Sequence, residues 1–213
     1  MVAIEKDPEL ASLLRSMFKD LRNVEVHEAD FLKYDIKDSE YKIFSNIPFN
    51  ITSEIMRKII YIKNPSKDAY LVMQEEAANR FHGYPHETEF SIFVKPWFGI
   101  NVVRKFRRTD FMPIPAVDVV LLNVRRREEP WVSSDNTVNY RRFVKYGYEA
   151  WKKSLGKAYE NIFTHEQWKR MSRDLGFPLD ATPSQLTCEQ WVSLFERFLG
   201  IVPPSKRLPL LKK

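Results

Sequence analysis

The chain has 213 residues, a mass of 25.3 kDa, a net charge of +6 and a pI near 9.3. That length admits one domain with an appendage, and the basic balance suits a polyanionic partner, although a basic surface serves a membrane or simple solubility equally well. A single cysteine, Cys188, excludes an internal disulfide and fits a reducing cytoplasm, and the absence of a signal-peptide pattern or a membrane-length apolar run argues against export and integral insertion.

Met1-Val2-Ala3-Ile4 reads as an apolar strand ending at Glu5. Asp7 then reads as a helix N-cap and Pro8 as the first helical residue, with Leu10, Leu13, Leu14, Met17 and Phe18 marking one face. A second strand, Val24-Glu25-Val26, is followed by Asp30 and Phe31, a carboxylate beside an apolar wall. A third, Lys42-Ile43-Phe44-Ser45, reads as a short buried strand that runs into Asn46-Ile47-Pro48-Phe49. Thr52 opens a helix whose Ile55, Met56, Ile59 and Ile60 have core spacing. Three polar groups, Glu5, Asp30 and Asn46, thus fall at or just beyond strand ends, the place where open α/β sheets bind ligands.

Asn46-Ile47-Pro48-Phe49 carries specific chemistry. An exocyclic base amine is a poor nucleophile because its lone pair is delocalised into the ring. Two acceptors, the Asn46 side-chain carbonyl and the Ile47 backbone carbonyl, can take both amine hydrogens and favour the available form, while Pro48 removes a donor and stiffens the turn. Phe49 offers a face on which an extruded base stacks. Taken alone, the four residues fit more readily a turn begun by Asn46 whose Phe49 fills the core, and the strand before and the helix after them shift the reading.

Further along, Ala69 to Met73 reads as a strand, Glu75 to Phe81 as the start of a helix, and Ser91 to Trp97 as an apolar stretch of unassigned type. Val102 to Phe106 and Val117 to Val124 read as two late strands joined by a proline-bearing loop at 111 to 115. The pattern turns helical beyond a boundary near Arg127 to Asp135, with capping boxes at Thr164-x-x-Gln167 and Thr187-x-x-Gln190. Basic residues gather at Arg104-Lys105-Phe106-Arg107-Arg108, Arg125-Arg126-Arg127, Arg141-Arg142 and Lys152-Lys153. In the first group an interleaved aromatic points to phosphate contact rather than a merely solvated face. No metal site is expected: His82 and His86 have ligand spacing, but Gly83 and Pro85 oppose the helix it requires. Cys188 is expected to be packed, and Pro203 to Lys213 to be a disordered basic tail.

The series Ala3-Ile4-Glu5-Lys6-Asp7, Asp30-Phe31, Asn46-Ile47-Pro48-Phe49, Gln74-Glu75-x-Ala77-x-Arg80 and Phe111-x-Pro113-x-Pro115-x-Val117-Asp118 resembles the rRNA adenine N6-methyltransferases. That superfamily holds the Erm antibiotic-resistance enzymes and the KsgA-type small-subunit dimethyltransferases. The C-terminal segments Ile162-Phe163-Thr164-x-x-Gln167-Trp168 and Leu186-Thr187-x-Glu189-Gln190-Trp191-x-Ser193-Leu194-Phe195, together with Ile47, are similar to the Erm branch. The resemblance implies a class I S-adenosylmethionine-dependent methyltransferase sheet of Rossmann-like α/β type over residues 1–126, a small all-α rRNA-binding domain over 127–200 and a basic tail over 201–213. It implies that Glu5, Asp30, Phe31 and Asn46 hold S-adenosylmethionine, that Asn46, Ile47, Pro48 and Phe49 form the catalytic motif, and that Arg104, Lys105, Arg107 and Arg108 meet RNA. Phe111 is either near the target base or an anchor of its loop. The implied activity is methylation of a 23S rRNA adenine, with macrolide, lincosamide and streptogramin B resistance, by a cytoplasmic monomer acting on free or pre-assembly rRNA. The family's first strand and its G-x-G-x-G loop have no counterpart in this sequence, which begins at the second strand. The expectation is therefore an N-terminally truncated chain with half of its cofactor pocket, neighbouring strands unpaired and impaired activity. A KsgA-type small-subunit enzyme and a noncatalytic RNA-binding remnant stay open as alternatives.

Overall fold

The computed structural model describes residues 1–149 and 154–210, so the basic pair Lys152-Lys153 lies outside the described residues. β1 (Val2–Glu5), α1 (Pro8–Met17) and β2 (Glu25–Glu28) form the first unit, with β1 parallel to β2 and Ile4 opposite His27. The Asp7 carboxylate accepts the Glu9 and Leu10 amides at 2.9 and 3.1 Å, and Pro8 sits where no helical N–H is needed, so α1 begins where the sequence places it. Its apolar face is largely uncovered, with Leu10, Leu13 and Met17 exposed and only Ala11 fully buried.

A second sheet has the order β3-β4-β6-β5. β3 (Lys42–Asn46) leads through a single 3-10 turn, Phe49–Ile51, into α2 (Thr52–Tyr61) and then β4 (Asp68–Gln74), which is parallel to β3. α3 (Glu75–His82) and α4 (Glu89–Val94) precede β5 (Phe98–Lys105), and β6 (Val119–Arg126) runs antiparallel between β4 and β5. Among the described residues β1 pairs only with β2 and β3 only with β4. Each therefore keeps one edge of backbone donors and acceptors without a strand partner. That position corrects the sequence reading of Lys42 to Ser45 as a buried strand: on an edge, Phe44 is 76% exposed. The unassigned stretch Ser91 to Trp97 mostly folds into α4, whose start is fixed by a capping box between Thr88 and Ser91. The late strands are displaced from the expected Val102 to Phe106 and Val117 to Val124. Phe98 and Ile100 are buried and draw β5 back toward Phe98, with a register irregularity between Val102 and Arg104.

The sheet is covered by Ile55, Met56, Ile59 and Ile60 of α2, packed with Leu71, Met73, Leu122 and Val124. Asp68, at the start of β4, is 3% exposed, and its Oδ1 lies 2.7 Å from Arg125 Nε on β6. The Arg125 hydrogen bond leads the forces holding the Asp68 carboxyl below its ordinary value. A depressed native pKa contributes stability that is complete above the unfolded value and lost as pH falls through the folded one. Arg125→Met is therefore expected to weaken the fold at neutral pH, and the gap from wild type to narrow steadily in urea titrations carried into the acid range. A gap independent of pH would show that the pair is not its source.

The helical part comprises α5 (Thr137–Glu149), α6 (Leu155–Ala158), α7 (His165–Leu175), α8 (Cys188–Ile201) and α9 (Pro204–Leu210). Both expected capping boxes, at Thr164 and Thr187, are present. Its core is aromatic, built on Tyr140, Phe143, Tyr159, Trp168, Trp191, Phe195 and Phe198. Ile92 of α4 belongs to this core and Val94 to that of the sheet, while Phe93 and Trp97 pack against both. Cys188 is buried, as expected, and burial pushes its thiol up to about 12. The expectation of a disordered tail from Pro203 is corrected by α9. Pro204 starts a helix, and the Arg207 guanidinium bonds the Val202 and Leu199 carbonyls at 2.7 and 2.6 Å, satisfying acceptors that the end of α8 leaves open. No helix among the described residues is long and apolar enough to cross a membrane.

Candidate active site at the strand ends

Register places the chemistry-bearing residues. Asn46, the last residue of β3, pairs with Val72, and Val72 pairs with Leu121. Gln74 pairs with Val119 and Lys105 with Val120, so the carboxyl ends of β3 and β4 and the 106–118 loop share one sheet border. Asn46 is exposed, Ile47 is 2% exposed, and the ring of Phe49 is half open to solvent. The motif is thus held by its second residue, whose side chain enters the core and whose amide donates to the Val72 carbonyl at 2.9 Å. The Pro48 carbonyl takes the Ile51 amide and the Thr52 hydroxyl, which also reaches the Phe49 carbonyl. None of the hydrogen bonds among the described residues uses the Ile47 carbonyl. An exposed Asn46, an Ile47 carbonyl without a partner among the described residues and a half-exposed Phe49 thus follow one another directly at the strand end.

Glu5 and Asp30 lie at the same end of the β1–β2 pair, where Glu5 faces Glu28 and its carbonyl accepts the Ala29 amide at 2.8 Å. Glu5 Oε1 also accepts the Asp7 amide at 2.8 Å. Because each carboxylate oxygen accepts two hydrogen bonds, capacity remains for a ligand diol. Asp30 Oδ1 accepts the Leu32 amide at 2.9 Å, and Oδ2 lies 3.1 Å from Lys6 Nζ. The Leu32 amide, and after it the Lys6 ammonium, holds the Asp30 carboxyl below its usual range. It is an ionised acceptor, suited to a ring amine. Phe31 and Leu32 pack against the cluster that contains Ile47, which connects the two sheets. Lys58 of α2 fixes this connection by donating to the Leu32 and Tyr34 carbonyls, with its ammonium 5.2 Å from the centre of the Phe31 ring. Burial leads the forces on Lys58 and lowers its pKa.

The basic group on β5 is more engaged than its sequence suggests. Lys105 Nζ sits 2.7 Å from Glu75 and 3.2 Å from Asp118, and Arg108 Nε bonds Asp118 at 2.8 Å. Arg107 pairs with Asp110, and Arg104 lies over the Phe106 ring. Hydrogen bonds donated by Arg108 and then Lys105 lower the Asp118 pKa, and those that Lys105 donates to Glu75 and then Asp118 raise its own. Phe111 meets Phe106 edge to face at 5.5 Å, anchoring the loop base. Glu75 and Asp118 stand in motifs legible from sequence, but their pairing with Lys105 was not, because nothing local marks partners 30 and 13 residues away; the role of Lys58 was missed for the same reason.

This arrangement of sheet, crossing helices and strand-end acceptors is a class I methyltransferase fold. Residues 1–199 match the family model for ribosomal RNA adenine dimethylase, and the chain belongs to that family of rRNA adenine N6-methyltransferases. It is 30% identical over 205 residues to an rRNA adenine N-6-methyltransferase of Bacteroides fragilis, covering 95% of this chain and 76% of that protein. It is 28% identical over 177 residues to ribosomal RNA small subunit methyltransferase A of Streptococcus equi subsp. zooepidemicus, covering 78% and 60%. The crystal structure of the 23S rRNA methyltransferase ErmE superposes with a TM-score of 0.86 at 27% identity, covering 92% of this chain and 81% of that one.

Proposed function

We propose that this protein methylates N6 of an adenine in 23S rRNA with S-adenosylmethionine as donor, in the manner of an Erm-type resistance enzyme acting in the cytoplasm. The observation that supports the reading is that Asn46 and Phe49 are exposed on either side of a buried Ile47 whose carbonyl has no partner among the described residues, at the carboxyl end of β3. Residues 1–126 serve as the catalytic unit and 127–200 as a helical RNA-binding unit. Glu5 holds the donor's ribose and Asp30, backed by Phe31, its adenine. When bound, the donor supplies a methyl group already activated on a sulfonium. The chain's own work is positional: Asn46 Oδ1 and the Ile47 carbonyl accept the two N6 hydrogens, turn the nitrogen lone pair toward the methyl and steady the positive charge that develops on N6. Phe49 stacks on the flipped base.

Methyl incorporation into isolated 23S and 16S rRNA tests the assignment. Transfer to 23S alone is expected, whereas transfer to 16S alone would favour the small-subunit reading that the streptococcal relative represents. Phe49→Ala is expected to raise the KM for rRNA through loss of stacking worth roughly 1–3 kcal/mol, and Phe49→Tyr to restore it. Overall RNA affinity should change little, because the basic residues set it. Equal activity of Phe49→Ala and wild type at limiting rRNA would remove Phe49 from the site.

A further inference from the structure

The 106–118 loop presents its apolar residues outward. Met112 is 98% exposed and Ile114 is 65% exposed, on a segment that Pro113 and Pro115 stiffen by fixing their φ angles. Its base is held firmly: Lys105 bridges Glu75 and Asp118, Arg108 bonds Asp118, Phe106 meets Phe111, and the Glu75 amide donates to the Asp118 carbonyl at 2.9 Å. A loop tied at both ends, with two bulky apolar side chains at its tip, is shaped to enter something rather than to fold back. The surrounding charge names the occupant. The side chain of Arg107 is 86% exposed and that of Arg108 51%, while Arg104 stands over Phe106, so a polyanion approaching the strand ends meets these cations around the tip.

Resting on the assignment of rRNA as substrate, we propose that Met112 and Ile114 form a wedge that enters the RNA base stack beside the target adenine and holds open the space that base leaves when it turns toward Asn46 and Phe49. Apolar side chains inserted between base steps offset part of the cost of unstacking, and a tip already fixed loses little conformational entropy on insertion. The ion pairs at the loop base hold the wedge at the sheet border that also bears Asn46. Removing the wedge therefore impairs extrusion of a paired base and leaves recognition of an already unpaired one intact.

The test needs no cofactor. Short hairpins cut from 23S rRNA, each with 2-aminopurine in place of one adenine, are prepared with that base either paired or opposite an abasic site, and titrated with wild type and with the Met112→Ser/Ile114→Ser double variant. The expected result is that wild type raises the fluorescence of a paired probe, and that the double variant reduces the open population by about tenfold or more. Its affinity, followed by anisotropy at fixed salt, should stay within about threefold, because the arginines remain. On the abasic probe the two proteins should behave alike, and Met112→Leu/Ile114→Val should recover the signal. Binding without any fluorescence rise, or equal rises with both proteins, would overturn the wedge alone. An affinity loss as large as the opening loss would make the loop a general RNA contact and also overturn it. Failure of wild type to bind the RNA would overturn the substrate assignment and the wedge with it, and a variant that differs only in self-association would reassign the tip to contact between copies of the chain.

Discussion

Asn46→Ala is expected to lower methyl transfer to rRNA by about 10²–10³ while leaving the fold and RNA affinity unchanged, since losses of that size follow removal of one preorganised polar group. Asn46 ends β3 with an exposed side chain, and Ile47 beside it is anchored in the core, so the acceptor is held by backbone rather than by a mobile loop. The variant withdraws one of two acceptors from N6 and leaves the Ile47 carbonyl, the Phe49 ring and every basic residue in place. The loss should appear in kcat more than in KM, because the interaction strengthens as charge develops on nitrogen. Transfer of labelled methyl groups to 23S rRNA, with circular dichroism and anisotropy as controls, measures it. Full activity in a folded variant would make the motif an ordinary turn.

Trp191→Ala is expected to destabilise the protein by about 3–5 kcal/mol, the range for deleting a large buried aromatic side chain. The indole is fully buried, its N–H donates to the Pro183 carbonyl at 3.1 Å, and it stacks on Tyr148 at 5.9 Å with Phe143 edge-on at 6.1 Å. Replacement opens a cavity and orphans an acceptor at once. Gly147 reports on the same site from the opposite direction. A Cβ there would lie 2.7 Å from both the Trp191 ring and the Tyr159 hydroxyl, so Gly147→Ala should cost about 1–3 kcal/mol by overpacking. Urea denaturation monitored by tryptophan fluorescence and by circular dichroism gives both values. A stability loss below that of a surface substitution would show the cluster to be loosely packed.

What could be read from sequence was local. Asp7 before Pro8, Thr164 three residues before Gln167 and Thr187 three before Gln190 all form the caps their spacing implies, because a cap is settled within one helical turn. The strand ends that bear Glu5 and Asn46 were equally legible, since periodicity switches there from two to 3.6. What escaped was set by distant partners. The exposure of Phe44 depends on which strands flank β3, and the engagement of Lys105 depends on Glu75 and Asp118 arriving from other elements. The helix at Pro204–Leu210 was hidden behind a composition that reads as disordered, and Arg207 ties it to carbonyls that only the end of α8 supplies.

The edges of β1 and β3 that have no strand partner among the described residues, and the open apolar face of α1, also govern how the protein behaves among its own copies. A strand border with free donors and acceptors is a template for another strand, and Phe44 beside one such border, with Leu10, Leu13 and Met17 on α1, adds surface that water disfavours. The net charge of +6 opposes close approach, but counterions screen it within about 10 Å at moderate salt. Colloidal behaviour is then a contest between repulsion that salt removes and edge pairing that salt leaves intact. Solubility should consequently fall as ionic strength rises, the reverse of what is usual for a protein that sheds nucleic acid in salt, and polyanions should act as solubilising agents by covering the cationic surface and restoring a common sign of charge.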